Sequence, residues 1–445
     1  MSDRPIRKAV IVGLGRTGLA SARFLLARGW RIAVTDSRAE PPGRAELDAL
    51  APDAEVRCGR FDEGLLEGAS LVVASPGIAL TESIFVVAAA RGIEVVGDIE
   101  LFARATSADV VGITGTNGKS TVTTLVGRMA ARAGVDVRVG GNLGPPALEL
   151  LGERDPQLYV LELSSFQLEA TETLKLRAAV VLNLTADHMD RYRDMQAYAD
   201  AKARIFRHCD VAVINADDAY VREMPRFGQR VETFSLQTTT DARWRIAVHD
   251  GAQWLARDAE LLLPVSALRV AGLHNAANAL AALALGEALG LPQAAMLDEL
   301  REFTGLPHRS QWIAERHGVR YVDDSKGTNV GATLAAVTGM PGTLVLIAGG
   351  DGKDQDFMPL AAGLRGRVRH AMLIGRDALR LASVLRAVCP VDLHATLESA
   401  VVAAAAVARS GDTVLLSPAC ASLDMFKDYA HRGRVFADAV RSLPA

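Results

Sequence analysis

Residues 109–125, DVVGITGTNGKSTVTTL, limit most what this chain can fold into. Val110 to Ile113 is an apolar, β-branched run with the character of a buried strand. Thr114 to Gly118 is a turn of small residues, and Lys119-Ser120-Thr121 opens a helical pattern. Strand, glycine turn and helix in that order is the plan of a phosphate-binding loop. Glycines let backbone N–H groups approach phosphate oxygens, and the helix N-terminus adds partial positive charge. Lys119 supplies a full charge, and the Ser120 or Thr121 hydroxyl is of a type that ligates Mg²⁺. In the pattern G-x-x-x-x-G-K-[ST] the first glycine would fall on Ile113, whereas the glycines here are Gly112 and Gly115. Gly115-Thr116-Asn117-Gly118-Lys119-Ser120-Thr121 is therefore a tighter variant, and ATP is the ligand it predicts.

A second glycine motif lies upstream. Lys8 to Val12 reads as a strand, Gly13 to Gly18 as a G-x-G-x-x-G turn, and Leu19, Ala22 and Phe24 to Leu26 as the inward face of a helix. Arg31 to Thr35 reads as the next strand and ends on Asp36, placed to bond a ribose hydroxyl. The motif marks a doubly wound nucleotide site without naming the nucleotide; a dinucleotide and a non-redox nucleotide both fit. Leu71 to Gly77 is another buried strand, and its Ser75-Pro76-Gly77 end faces the same crevice. Glu94 to Asp98 closes this unit near residue 97.

A chain of 445 residues exceeds one ordinary core and fits two to three domains. Its net charge of −3 gives no global attraction to nucleic acid or anionic membrane, so a phosphate site needs local positive charge. Cys58, Cys209, Cys389 and Cys420 lack CxxC spacing and read as free thiols in a reducing cytosol. The longest apolar run, Val401 to Ala408, falls well short of a membrane span. Arg4, Arg7 and Lys8 precede an apolar run that Gly15-Arg16 breaks, which suits a first strand rather than a signal peptide. A cytoplasmic enzyme is expected, without nucleic acid or membrane as partner, and nothing in the pattern demands more than a monomer.

The phosphate loop begins a second α/β unit. Gly140 to Gly144 reads as a turn, and Tyr159 to Ser165 as a strand whose Glu162 is placed to hold Mg²⁺. Ala178 to Leu184 is a further strand running into Asp187-His188-Met189-Asp190, where His188 fits either a capped surface histidine or a site residue. Tyr198 to Phe206 reads as a helix, and its Lys202, on sequence grounds alone, as a solvated lysine. Residues 216–270 look like a meander appended to the sheet. Asn275 and Asn278 open an Ala-rich helix, where they either cap it or read an adenine edge. Phe303 to Arg309 is a compact turn and the natural boundary to a third unit. Strands at Val319 to Asp323, Thr343 to Ala348, Ala371 to Ile374 and Thr413 to Leu416 end in Gly/Ser/Asp-rich loops and predict a third parallel sheet.

Taken in order, these segments resemble the Mur ligase family over nearly the whole chain. The specific pieces are the fingerprint turn, Ala74-Ser75-Pro76-Gly77, the phosphate loop, Leu161 to Gln167, Asp187 to Arg191, Leu306-Pro307-His308-Arg309, Asp324-Ser325-Lys326 and Ser417 to Asp424. The resemblance implies an α/β fold of three domains: a Rossmann-like UDP-substrate domain over 1–97, a central ATP-binding domain over 98–305 and a C-terminal Rossmann-like domain over 306–445. It implies an ATP-dependent ligase of peptidoglycan precursor synthesis that joins D-glutamate to UDP-N-acetylmuramoyl-L-alanine through an acyl phosphate. Carried over in this way, Lys119, Glu162, His188 and Lys202 are catalytic, with Lys202 carbamylated. Ser120, Glu162, His188 and the carbamate of Lys202 would hold two Mg²⁺ ions. Gly15, Arg16, Thr17, Asp36, Ser37, Arg38, Ser75, Gly77 and Asn142 resemble the uridine-nucleotide pocket. Beside Gly115 to Thr121, ATP would touch Asn275, Asn278, Arg309, Asp324 and Lys326. Thr328, Lys353, Ser422, Leu423 and Tyr429 resemble the glutamate pocket.

Overall fold

The computed structural model describes residues 7–225, 227–270, 272–340 and 342–444, so Arg4 of the basic N-terminal cluster lies outside the described residues. Three sheets carry the fold. The first is wholly parallel, with the strands Glu55–Cys58, Arg31–Asp36, Lys8–Val12, Ala69–Ala74 and Glu94–Gly97 side by side in that order. The chain reverses its direction of travel across the sheet between the third and fourth of these, and Gly13 to Gly18, leaving the third strand at that point, turns into the helix Arg16–Leu26. That helix buries Leu19, Ala22 and Leu25, while Phe24 and Leu26, expected inward, are only partly covered.

The central sheet has nine strands. Seven run parallel, from Val137–Gly141 at one edge through Leu158–Glu162, Asp109–Thr114, Leu176–Val181, Cys209–Asn215 and Arg230–Ser235 to Trp244–His249. The antiparallel strands Ala252–Arg257 and Glu260–Pro264 complete the expected meander. The loop-bearing strand Asp109–Thr114 lies between two buried strands, which is why it reads as a continuous apolar run. Gly140 and Gly141, expected in a turn, instead end the edge strand. Gly141 has φ +92°, and a Cβ there would stand 2.3 Å from the Glu162 carbonyl oxygen. The helix expected to start at Tyr198 starts at Met195, where the Asp194 side chain caps it by accepting from Ala197 N–H, and it tightens into a 3₁₀ turn over Arg204–Phe206.

The third sheet orders Gln311–Arg316, Val319–Asp323, Thr413–Leu416, Leu344–Gly349, Val368–Ile374 and Val391–Leu393. It is not purely parallel, because Gln311–Arg316 pairs antiparallel at its edge. None of its six residues is fully buried, and its apolar stretch is only Trp312-Ile313-Ala314, too short to announce a strand in the sequence. Its neighbours are parallel, so their carboxyl ends and loops gather on one side.

Apolar packing ties the first sheet to the central one. A single cluster runs from Ile11 and Val34 through Phe102 and Leu148 to Tyr159 and Phe206, with Phe102 edge-on to Tyr159 at 5.0 Å. The third sheet has cores of its own on its two faces.

Gly141→Ala should cost about 2 kcal/mol or more, since a Cβ at positive φ must also displace the Glu162 backbone. Urea unfolding measures it, and a variant as stable as the parent would contradict the close approach.

Candidate active site

Beyond the carboxyl ends of the first sheet lies a cavity of about 520 Å³. Gly15, Arg16, Thr17, Asp36, Ser37, Arg38, Ser75, Gly77 and Asn142 all line it, so the structure gathers every residue expected of the uridine pocket. Asp98 and Gln167 line it as well; Gln167 ends the motif Leu161 to Gln167, but neither residue is expected in the pocket from the sequence. The Asp36 carboxylate, read from sequence as a ribose acceptor, is already engaged: it accepts from Leu14 N–H at 2.8 Å, Arg38 N–H at 2.8 Å and the Arg38 guanidinium at 2.6 Å. Burial pushes its pKa up, but Arg38 and the two backbone donors outweigh that and hold the carboxyl below its ordinary value. Asp36 thus shapes the turn, and Arg38 presents the cation.

A second cavity, about 250 Å³, lies between the central and third sheets. Asn117, Gly118, Thr121, Asn275, Asn278, Arg309, Asp324 and Lys326 line it, with Asn183, Phe234, Leu236 and His274 added by the structure. The helix Leu273–Ala288 has Gly272 at its N-cap, so capping is not the task of the asparagines; Asn278 Nδ2 donates to Asn275 Oδ1 at 3.3 Å beside the cavity. Gly118 stands at φ +85°, where a Cβ would meet Asn278 Oδ1 at 2.4 Å, so only glycine lets the loop pass that close. Asp324 accepts from Ser417 Oγ and Ser310 N–H, and burial raises its pKa to about 7.

Between the two lies a chamber of about 300 Å³ that holds Lys119, Ser120, Glu162, His188, Lys202, Arg309, Lys326, Thr328 and Lys353. Ser120 Oγ donates to Glu162 Oε2 at 2.6 Å, and Asn142 Nδ2 donates to Glu162 Oε1 at 2.6 Å. Asn142 therefore joins the first cavity to the phosphate loop through one carboxylate. Arg309 Nη2 reaches Ser120 Oγ at 2.9 Å from the far side. Lys119 Nζ donates to the carbonyls of Gly115 and Thr116, and Lys202 Nζ donates to the same Gly115 carbonyl at 2.9 Å. His188 adopts φ +58° and lies edge-on to Phe166 with ring centroids 4.9 Å apart. Lys353 Nζ donates to Asp187 Oδ1 at 3.0 Å across the boundary between the sheets. Of the residues expected to hold glutamate, only Thr328 and Lys353 line the chamber. Ser422 is buried elsewhere, Leu423 is 73 % exposed, and the Tyr429 ring lies under Lys326 Nζ at 3.8 Å.

Models of known families match most of the chain: the Mur ligase MurD-like N-terminal domain over 7–97, the Mur ligase middle domain over 113–286 and the Mur ligase glutamate ligase domain over 308–420. The chain belongs to the Mur ligase family. A relative from Nitrosococcus oceani named UDP-N-acetylmuramoylalanine--D-glutamate ligase is 55 % identical, covering 98 % of this chain and 96 % of its own. One of the same name from Pseudomonas syringae pv. tomato is 52 % identical over 98 % of both chains. The crystal structure of the UDP-N-acetylmuramate-alanine ligase MurC from Thermotoga maritima matches at a TM-score of 0.63 and 18 % identity, covering 98 % of this chain and 99 % of that one, which speaks for the shared three-domain fold.

In this Mur ligase chamber, burial sets the charge states. Desolvation drives Lys202 well below the usual lysine value, and neighbouring Lys119 pushes the same way. Lys202, 2 % exposed, is therefore the reverse of the solvated lysine the bare helix pattern suggested. His188 is lowered by burial first, with Asp187 opposing, which favours its neutral imidazole. Lys326 falls to about 8 for the same reason. Because Lys202 is a desolvated amine with no carboxylate partner among the described residues, Lys202→Met should melt within about 2 °C of the parent or above it. A larger fall on thermal scanning would mean the amine stabilises the fold.

Proposed function

We propose that this chain joins D-glutamate to the carboxylate of UDP-N-acetylmuramoyl-L-alanine at the expense of ATP, in the cytoplasm and as a monomer. The observation that carries the reading is the meeting of two nucleotide-sized cavities at one cationic chamber, with Asn142, Glu162 and Ser120 hydrogen-bonded in a row across the junction. The names of relatives 49–55 % identical over nearly full length support the choice of substrates. On this reading residues 1–97 bind the uridine nucleotide, 98–305 bind ATP and 306–445 bring the amino acid.

The substrate carboxylate attacks the γ-phosphorus of ATP, forming an acyl phosphate and releasing ADP. Two anions approach each other in that step, so the chain's task is to concentrate positive charge there. Lys119 and the loop N–H groups hold the phosphates, and Arg309 and Lys326 close over them from the third unit. The amine of glutamate then attacks the acyl carbon, the tetrahedral adduct expels phosphate, and the amine loses a proton. Thr328 and Lys353 are the groups in the chamber suited to its carboxylates.

Among the described residues no three His, Cys, Asp or Glu side chains gather closely enough to cage a metal ion. The Ser120 hydroxyl and Glu162 carboxylate are oxygen donors that fit Mg²⁺, which keeps several waters and takes one or two protein oxygens plus substrate phosphates. Ser120 and Glu162, 2.6 Å apart, would hold one ion, and neutral His188 with carbamylated Lys202 a second. When bound, the ions supply neutralising charge to the phosphates and the acyl oxygen. Carbamylation requires an unprotonated amine, and the depressed pKa of Lys202 meets that requirement.

Phosphate release with a panel of amino acids tests the assignment. Turnover should need ATP, the muramyl nucleotide and D-glutamate together, and equal turnover with another amino acid would move the chain to a sibling ligase. Lys119→Ala should lower kcat at least about 10³-fold while leaving calorimetric binding of the uridine substrate unchanged. Tight NADH binding with none for UDP would instead return the fingerprint to a dinucleotide. Lys202→Ala should lose activity that excess acetate partly restores, and parent-like activity without acetate would remove Lys202 from the chemistry.

A further inference from the structure

Asn329 is 2 % exposed and stands at the N-cap of the helix Val330–Gly339, immediately after Thr328. Its Oδ1 accepts from Ala332 N–H at 2.8 Å. Only an oxygen can meet that donor, so the cap fixes which way the amide faces. The NH₂ group then points out of the third unit, where Nδ2 donates to Asn117 Oδ1 at 3.1 Å and to Asp187 Oδ2 at 3.3 Å. Asn117 Nδ2 returns a contact to Asn329 Oδ1 at 3.3 Å. Asn117 is itself rigidly seated in the phosphate loop, its N–H and carbonyl both tied to the Asn183 side chain.

The helix behind Asn329 reaches the other side of the chamber. Val330 N–H donates to Gln355 Oε1 at 3.0 Å, and Gln355 Nε2 donates to the Gly352 carbonyl at 2.8 Å, next to Lys353. Lys353 in turn bonds the second oxygen of Asp187. One buried amide thus touches the phosphate loop, the loop that carries His188 and, through its own helix, the loop that carries Lys353. Capping uses a single oxygen of Asn329, and serine or aspartate serves a cap as well. The donor pair is what neither alternative supplies.

We infer that Asn329 is a positioning residue that locks the amino-acid loop of the third unit to the phosphate loop, so that nucleotide and amino acid each strengthen the binding of the other. The inference rests on the ligase reading above. Asn329→Asp keeps the cap, removes both donors and sets a carboxylate against Asp187; Asn329→Ser keeps the cap and removes the bridge alone. Both should raise KM for ATP and for glutamate, Asn329→Ser by about tenfold and Asn329→Asp by more, while KM for the uridine substrate stays within about twofold and the melting temperature of Asn329→Ser holds. An Asn329→Asp enzyme with parent-like constants, or one that loses only kcat, would reduce Asn329 to a helix cap and overturn the inference. If Asn329→Asp fails to fold, the constants of Asn329→Ser decide in the same way. An inactive parent enzyme would count against the ligase reading instead.

Discussion

Five Lys and Arg side chains face two carboxylates, Glu162 and Asp187, inside one chamber of about 300 Å³. Cations held in a largely desolvated place are expensive unless anions arrive, and burial accordingly weakens the proton hold of Lys119, Lys202, Lys326 and Arg309. The rest of the architecture follows from supplying and delimiting that charge. The central sheet sets Lys119 at a helix N-terminus behind a turn only glycine can make, and the third sheet contributes Arg309, Lys326 and Lys353 from loops at its carboxyl edge. Neither unit alone assembles the cluster.

The two boundaries around the chamber differ in kind. The first and central sheets share one apolar cluster that runs from Ile11 and Val34 through Phe102 and Leu148 to Tyr159, and Glu100, on the helix that links the two sheets, accepts Glu172 N–H and Thr173 N–H. Such a seam does not open cheaply. The third unit meets the central one through Arg309 to Ser120, Asn329 to Asn117 and Lys353 to Asp187, all hydrogen bonds or ion pairs that water or a substrate carboxylate can replace. Hinge movement is therefore expected at the polar seam, with the cavity of the first sheet staying whole.

Much of this was legible in the amino acids. The phosphate loop announced itself because strand, turn and helix chemistry coincide within Asp109 to Leu125, and the first cavity as a nucleotide site because glycines and Asp36 keep a fixed spacing, the choice of uridine coming only from the resemblance. Long-range polar contacts were not legible. Nothing in the periodicity of Tyr198 to Phe206 says that Lys202 points into a buried chamber, since burial depends on strands far away in sequence. Asp187, though part of the motif with His188, gains no role from the sequence, and neither does Asn329, because their partners lie 166 and 212 positions away. The amino-acid pocket was the poorest match: Ser422, Leu423 and Tyr429 do not line the chamber with Thr328 and Lys353, and Tyr429 stacks on Lys326 instead.

The central claim is that this charge cluster activates a carboxylate as its acyl phosphate before any amino acid takes part. Hydroxylamine, a small nucleophile that needs no pocket, traps such a species as a hydroxamate. Offered ATP, Mg²⁺, the muramyl nucleotide and hydroxylamine without glutamate, the enzyme should yield the nucleotide's hydroxamate together with ADP. ATP left intact and no hydroxamate formed, under conditions where the uridine substrate is bound, would contradict it.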